Sequence, residues 1–356
     1  MTLYINGKWL AATPTGVQRY SGEVARRILD REPEAVVVAP SNATLPEWLP
    51  AARVIRSRLR GAAFEQLALP WLTRRGMLLN LAASAPLVRR RQLVMMPDAL
   101  VARFPETYSW RFVAWYRLMY RVLAARALHL VTISEFSRRE LAEVLGTAPE
   151  RFVVAPAGHE HALDWAFTDA APQDELAARM AAPYVLCVGS LTPSKNLAPV
   201  TRALAEAGIA VIVVGASGVK RVYAEESGLT APGVWLAGRL SDEQVGRLLA
   251  GATALVFPSL YEGFGLPVVE AQALSCPVIA SDRASIPEVA GEGALYFDPL
   301  EPAQAVRLVR NLDGAGRQRL VAAGAANLDR FRWDDTARII HALATGQPAP
   351  RRVPDR

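Results

Sequence analysis

The stretch that most constrains this chain is Ala254 to Glu270, ALVFPSLYEGFGLPVVE. Its short apolar run, Ala254 to Phe257, reads as a buried strand closed by Pro258. Gly263 and Gly265 flank Phe264 in the loop that follows, and Pro267 stands where a helix begins. A strand, a glycine loop and a helix start make an anion- and sugar-binding corner. First-turn N–H groups lack intrahelical acceptors there, and glycine lets a ligand approach the backbone. Glu262 in the loop and Glu270 in the helix offer carboxylates to the hydroxyls of a sugar or a ribose. The plain alternative is a strand–helix turn with two solvated glutamates.

Similar corners recur along the chain. Tyr184 to Val188 reads as a strand, followed by Gly189-Ser190-Leu191-Thr192-Pro193-Ser194-Lys195-Asn196 and a helix from Leu197. This is a near miss for a nucleoside triphosphatase loop: Ser194 replaces the glycine before the lysine, and Asn196 stands where Ser or Thr should meet magnesium. That reading is rejected, but a lysine at a helix start beyond a strand still suits a diphosphate. Ile209 to Val214 ends at Gly215, and Val234 to Ala237 ends at Gly238-Arg239-Leu240. Nearer the N-terminus, Met1 to Ile5 is a strand, then come Gly16-Val17-Gln18-Arg19-Tyr20 and a helix over Ser21 to Leu29. Leu93 to Met96 ends at Pro97-Asp98, where a carboxylate serves an acceptor or caps the next segment. Ser134 opens another helix as N-cap. Residues 44 to 92 have helix-like patterning, with Trp48, Phe64, Trp71, Leu78 and Leu79 assigned to core or interface. Strands alternating with helices predict parallel, helix-covered sheets whose loops carry the site.

A chain of 356 residues suggests two domains. The expected boundaries are 1–168 for the first, 169–329 for the second, a helix at 330–346 returning to the first, and a mobile tail at 347–356. Cys187 and Cys276 read as reduced core residues of a cytoplasmic protein, and no Cys or His spacing suggests zinc. The first residues lack a signal-peptide layout and no apolar run is long enough to span a bilayer. The formal net charge of +6 is uneven. Arginines crowd residues 40 to 130, against the acids Glu47, Glu65, Asp98 and Glu106. A polyanionic partner is expected from this, the anionic cytoplasmic leaflet rather than nucleic acid; a solvated basic surface is the alternative.

Pro258, Ser259, Glu262, Gly263, Phe264, Gly265, Leu266, Pro267 and Glu270 resemble the donor-site signature of the retaining glycosyltransferase family 4. The resemblance implies a GT-B fold: two Rossmann-like, doubly wound parallel-sheet domains facing a central cleft. It extends over Gly16 to Tyr20, Asp98, Ser134 to Ser137, Lys195, Pro287 to Val289 and Phe331 to Trp333. It implies that Gly189, Ser190, Lys195, Gly215, Arg239, Leu240, Glu262, Gly263, Phe264, Gly265, Leu266 and Glu270 hold a nucleotide diphosphate sugar. Gly16, Gln18, Arg19, Asp98 and Ser134 would serve the acceptor, and Glu262, Lys195 and Asp98 the chemistry. Pro97 stands where the family commonly has histidine, Gln18 where it has glycine, and Ser194 where it has arginine. The mannosyltransferase-like branch of O-antigen and exopolysaccharide synthesis is the best match, which points to a GDP-sugar, with UDP-sugars second. No Asp-x-Asp occurs in the sequence, so a metal-independent site without a cofactor is expected. A lipid-linked oligosaccharide acceptor would place the protein at the inner face of the plasma membrane. A GT-B epimerase or phosphorylase, and a non-catalytic nucleotide-sugar scaffold, are the competing readings.

Overall fold

A computed structural model describes residues 2–167, 174–215, 229 and 231–347. The expected tail falls outside these residues except for Gln347, and the expected linker stretch is described only in part. The chain forms two compact units, Met1–Gly158 with Arg332–Arg356, and His159–Phe331. The chain therefore changes unit at Gly158, before the expected boundary at 168.

The first unit is built on seven parallel strands: β1 (Leu3–Asn6), β2 (Val36–Ala39), β3 (Val54–Arg56), β4 (Met77–Asn80), β5 (Gln92–Met95), β6 (His129–Thr132) and β7 (Phe152–Val154). Their order is β3-β2-β1-β4-β5-β6-β7, which reverses direction between β1 and β4. Helix α1 (Gly16–Arg31) begins at Gly16 rather than at Ser21. Tyr20, Val24, Ala25 and Ile28 are all buried, and a helical spacing of three and four needs the extra turn to hold Tyr20 inside. Gly16, Gln18 and Arg19 thus sit in the first turn of a helix, not in a preceding loop. Further along are α2 (Leu100–Arg103), α3 (Trp110–Arg126) and α4 (Glu135–Leu145). The closing helix, Trp333–Thr345, packs its buried Trp333 edge-on to Tyr20 at 5.7 Å between ring centroids.

Residues 44 to 92 are helical only in part: a helix over residues 61–72 stands between β3 and β4, which are strands. Leu78 and Leu79 lie in the sheet and are fully buried, as is Phe64, while Trp71 is exposed. Across β1, β4 and β5 runs a chain of buried amides. Asn6 Nδ2 donates to Asn80 Oδ1 at 3.0 Å, and Asn80 Nδ2 donates to Gln92 Oε1 at 3.0 Å. Buried amides keep their place only when bonded, so this chain fixes the strand register at the reversal point.

The second unit has six parallel strands: β8 (Tyr184–Val188), β9 (Ala210–Val214), β10 (Val234–Gly238), β11 (Ala254–Phe257), β12 (Val278–Ser281) and β13 (Ala294–Phe297). Their order is β10-β9-β8-β11-β12-β13, reversing between β8 and β11. Alternate residues feed opposite faces, so the strands read as continuous apolar runs. Leu186, Ile212, Leu255 and Val278 face α6 (Asp242–Gly251) and α7 (Leu266–Ala273), whereas Cys187, Val213, Val256 and Ile279 face α5 (Leu197–Glu206). Both cysteines are free and buried, one on each face, and burial pushes each thiol up to about 12. The first and last residues of this unit are tied together. The His159 ring Nδ1 and backbone N–H both donate to the Phe331 carbonyl, at 2.7 and 3.2 Å.

Replacing Asn80 by Leu keeps the volume but leaves the Asn6 amide and the Gln92 carbonyl without partners. The expected cost is about 2–4 kcal/mol, from orphaned buried polar groups. A urea titration of the first unit's unfolding checks this; an unchanged midpoint would show that the amide chain does not hold the register.

Candidate functional site

In a doubly wound sheet, ligands meet the strand C-terminal ends where the order reverses, because neighbouring loops diverge there and leave a crevice. In the second unit this point lies between β8 and β11, and the two loops after those strands carry Lys195 and Glu262. The Lys195 ammonium donates to Glu262 Oε1 in a close ion pair. The side chains are 18% and 12% exposed, so a narrow opening reaches the pair. The same Glu262 oxygen accepts from the Ser259 hydroxyl at 2.8 Å. One carboxylate oxygen is therefore already held by two donors of the protein.

Backbone bonds hold the loops in register. Leu260 N–H donates to the Ser194 carbonyl at 2.8 Å, joining the loop after β11 to the loop after β8. The buried Ser285 hydroxyl shares its proton between the carbonyls of Glu262 and Phe264, at 2.9 and 3.1 Å. Gly265 caps α7 with φ +100°, a conformation that L side chains rarely adopt. Pro267 in the first turn costs no hydrogen bond there, and Val268 N–H bonds back to the Gly265 carbonyl at 2.9 Å. The Phe264 ring packs inward, edge-on to Phe331 at 5.3 Å. Leu266 follows as the first residue of α7.

Gly189 and Gly215 sit side by side. Gly189 N–H donates to the Val214 carbonyl at 2.9 Å, and a Cβ on Gly215 would collide with the Gly189 carbonyl oxygen. Gly215 N–H in turn donates to the Gly238 carbonyl at 2.8 Å. Ser190, Thr192 and Ser194 form a hydroxyl relay with 3.2 Å steps beside Lys195. Arg239 is exposed beyond the edge strand β10, while Leu240 packs against the core.

Glu270 is not an open carboxylate. It is buried, and its Oε1 accepts from His161 Nε2 at 3.0 Å. His161 is itself buried, edge-on to Trp165 at 5.2 Å. No local pattern marks this partner, since the two residues are 109 apart in sequence. The remaining candidates belong to the first unit. Asp98 Oδ1 accepts from Leu100 N–H, the first amide of α2, at 2.9 Å. Its charge also raises the pKa of Tyr108, though burial is the larger cause. Ser134 Oγ accepts from Ser137 N–H at 3.0 Å as the N-cap of α4. Gln18 Oε1 accepts from the Thr15 hydroxyl, and Arg19 N–H donates to the Thr15 carbonyl at 2.9 Å.

Two Rossmann-like, doubly wound parallel-sheet units define the GT-B class of glycosyltransferase folds. Residues 170–319 match the family described as Glycosyl transferases group 1, and this segment is a group 1 glycosyl transferase domain. The chain is 28% identical over 226 residues to an O-antigen chain mannosyltransferase B of Escherichia coli, covering 60% of this chain and 59% of that protein. It is 31% identical over 251 residues to a D-inositol 3-phosphate glycosyltransferase of Acidothermus cellulolyticus, covering 65% of this chain and 56% of that one. The chain thus spans somewhat over half the length of these relatives. Among solved structures, Anabaena HepE in complex with UDP and glucose superposes with a TM-score of 0.72 at 17% identity, over 97% of this chain and 99% of that chain. At that identity the likeness is one of fold.

His161→Ala leaves the buried Glu270 carboxylate without its partner, at an expected cost of about 3 kcal/mol. The melting temperature should fall by about 6–12 °C for a unit of this size, and His161→Gln, which keeps a donor, should lose less. Equal melting of His161→Ala and the parent protein would show that the pair is not structural.

Proposed function

We propose that this protein is a retaining glycosyltransferase. It moves a hexose from a nucleotide diphosphate sugar to a hydroxyl of a glycan or lipid-linked oligosaccharide, in bacterial surface polysaccharide synthesis. The observation that carries the reading is the Lys195–Glu262 pair at the reversal point between β8 and β11, beside the first turn of α7. Departure of a nucleoside diphosphate concentrates negative charge on phosphate oxygens. A preorganised ammonium and backbone amides stabilise that charge more than they stabilise the bound donor. Lys195 and the amides of Gly263 to Leu266 fill that role without a metal ion. Glu262 holds a sugar hydroxyl, and the Gly189–Gly215 contact gives the diphosphate close access to the backbone. Glu270, oriented by His161, takes the ribose hydroxyls. Asp98 and Ser134, with the first turn of α1, serve the acceptor. No covalent nucleophile is proposed.

The O-antigen mannosyltransferase among its relatives supports mannose from a GDP-sugar as donor. A UDP-sugar is the second reading, favoured by the UDP-bound HepE structure of the same fold. None of the described helices is long and apolar enough to cross a membrane. On this reading the protein is cytoplasmic and peripheral at the inner leaflet, reached through the arginine-rich first unit.

Glu262→Gln and Lys195→Met preserve side-chain volume while removing charge. Each is expected to lower donor-dependent transfer by about 100- to 1000-fold, the effect of losing one preorganised charge-stabilising group. The double variant should lose little more, because the two groups act as a unit. Transfer assayed with a panel of GDP- and UDP-sugars checks this, with melting temperatures as a fold control. Unaltered turnover in both single variants would defeat the assignment. In the same panel, the true donor at a hundred times its Kd should raise stability by about 2.7 kcal/mol.

A further inference from the structure

The first unit has a charged corner of its own where its strand order reverses, between β1 and β4. Lys8 lies just past the end of β1, and Ser84 just past the end of β4. The Lys8 ammonium donates to Glu65 Oε2 at 2.8 Å and to Ser84 Oγ at 3.1 Å. The Ser84 hydroxyl in turn donates to Glu65 Oε1 at 2.5 Å. Both oxygens of this buried carboxylate are therefore bonded, as a charge withdrawn from water requires. The same three residue types meet at the reversal point of the second unit, in Lys195, Glu262 and Ser259. In each unit the lysine follows the first strand, β1 or β8.

The corner is held from every side. Glu65 stands in a π-helical turn, Phe64–Ala68, within the helix over residues 61–72. Such turns insert one extra residue into a helix and recur at functional sites. The next residue, Gln66, clamps the loop after β4: its Nε2 donates to the Ala85 carbonyl at 3.1 Å, and its Oε1 accepts from Leu87 N–H at 3.0 Å. The Ser21 hydroxyl of α1 donates to the Leu81 carbonyl at 2.7 Å, so α1 grips the same loop. Asn6 Oδ1 accepts from Lys8 N–H at 3.1 Å, which joins Lys8 to the amide chain running to Asn80 and Gln92. Ala83, directly before Ser84, has φ +61°, in the left-handed region that residues with a side chain avoid. A strained residue persists where its surroundings over-determine it, as they do at sites shaped for a ligand.

What the corner offers outward follows from its bonds. The Glu65 side chain is 5% exposed and that of Lys8 35%, and Ser84 is half-buried. An ammonium has three N–H groups; Lys8 uses two and meets no third acceptor among the described residues. A hydroxyl has one proton and two lone pairs; Ser84 gives its proton to Glu65 and takes one N–H from Lys8, which leaves one lone pair. The reachable side thus presents one donor and one acceptor, 3.1 Å apart. Adjacent hydroxyls of a sugar ring present the complement, one oxygen accepting and its neighbour donating. Charge selects in the same direction. Glu65 cancels Lys8, so the corner is neutral, and an anion would have to draw the ammonium from a buried carboxylate. An uncharged diol leaves that pair intact.

We infer that Lys8 and Ser84 form a subsite for a neutral sugar of the acceptor glycan, which they hold by two adjacent ring hydroxyls. This inference rests on the transferase reading and names what the first unit recognises: an uncharged pyranose rather than a phosphate. Lys8 Nζ donates to one hydroxyl oxygen, and the neighbouring hydroxyl donates to Ser84 Oγ. Glu65 touches neither; it is a positioning residue that fixes the ammonium and the serine proton.

The test is saturation-transfer NMR of the full chain with neutral methyl glycosides: the α-mannoside, α-glucoside, β-galactoside and N-acetyl-β-glucosaminide. Saturation transfer to at least one of them is expected. Ser84→Ala should raise its dissociation constant about 10-fold, the effect of one lost hydrogen bond. Lys8→Gln with Glu65→Gln should raise it about 30-fold, because a bond from a charged donor is stronger. In that double variant the two amides bond each other and no buried charge is orphaned, so the melting temperature should stay near that of the parent. No transfer to any glycoside, or undiminished affinity in both variants, would overturn the subsite and leave the cluster a structural tie. An equal loss in Glu262→Gln would move the glycoside to the second unit's corner. A rise in melting temperature with inorganic phosphate, matched for ionic strength and abolished in the double variant, would reassign Lys8 to an anion. GDP and UDP are tested separately by thermal shift. Glycoside binding that fails while a nucleotide still stabilises the protein would sink this inference and leave the transferase reading standing; the reverse pattern would do the opposite.

Discussion

One backbone hydrogen bond, Leu260 N–H to the Ser194 carbonyl, ties together the two loops on which the second unit's site is built. Without it, the loop after β8 and the loop after β11 would lose a backbone link. The Lys195–Glu262 pair would then carry more of the task of joining them, against the conformational freedom of two long side chains. With it, the ion pair forms between groups already brought near. Ser285 acts in the same sense from below, binding the carbonyls of Glu262 and Phe264. The glycines do the complementary work. Gly265 takes a φ that other residues avoid, and Gly215 lets two chains approach until only a hydrogen atom fits between them. A charged corner of this kind is assembled from backbone geometry first and from side-chain attraction second.

The sequence was legible where a single local rule decided the structure. Ala254 to Phe257 is a strand because four apolar residues precede a proline, and α7 begins at Leu266 because Gly265 and Pro267 bracket its first turn. Residues 44 to 92 were legible only in part: the helix over 61–72 agrees with the helix-like patterning, but two strands were missed. The strand Val54–Arg56 has three residues, two of them exposed, and arginines surround it, so no period of two emerges. Met77–Asn80 is buried on both sides, and such a run looks the same in a helix and in a strand. The start of α1 was misjudged because Gly16 and Gln18 suggest a loop; the burial of Tyr20 overrides that preference. The His161–Glu270 pair lay beyond any local rule, since only the packing of residues 160–167 against α7 brings it about.

Composition was a blunter guide. The excess of arginine between residues 40 and 130 carries no information on how each guanidinium is used. In the fold, Arg53 and Arg89 cap backbone carbonyls and Arg103 is held by two glutamates, so they add net charge without offering it to a partner. Arg117 and Arg121, by contrast, are exposed on α3. Reading basicity as a docking signal becomes sound only after the internally committed arginines are subtracted.

The pairing of Lys195 with Glu262 has a consequence for the order of events in the proposed transfer. In the unliganded corner the two charges cancel, and Ser259 adds a second donor to the same carboxylate oxygen. An arriving diphosphate is a stronger attractor for the ammonium than one carboxylate, because it presents more than one negative charge within reach. As Lys195 turns toward phosphate, Glu262 loses a donor and gains capacity to accept from a sugar hydroxyl. Binding of the phosphate end and of the sugar end are then linked through one residue pair. A nucleoside lacking phosphates would leave the pair closed, and a free sugar would compete with Lys195 for Glu262. The corner thereby favours the intact activated sugar over either of its halves, with Ser259 holding the carboxylate in place while its partner changes.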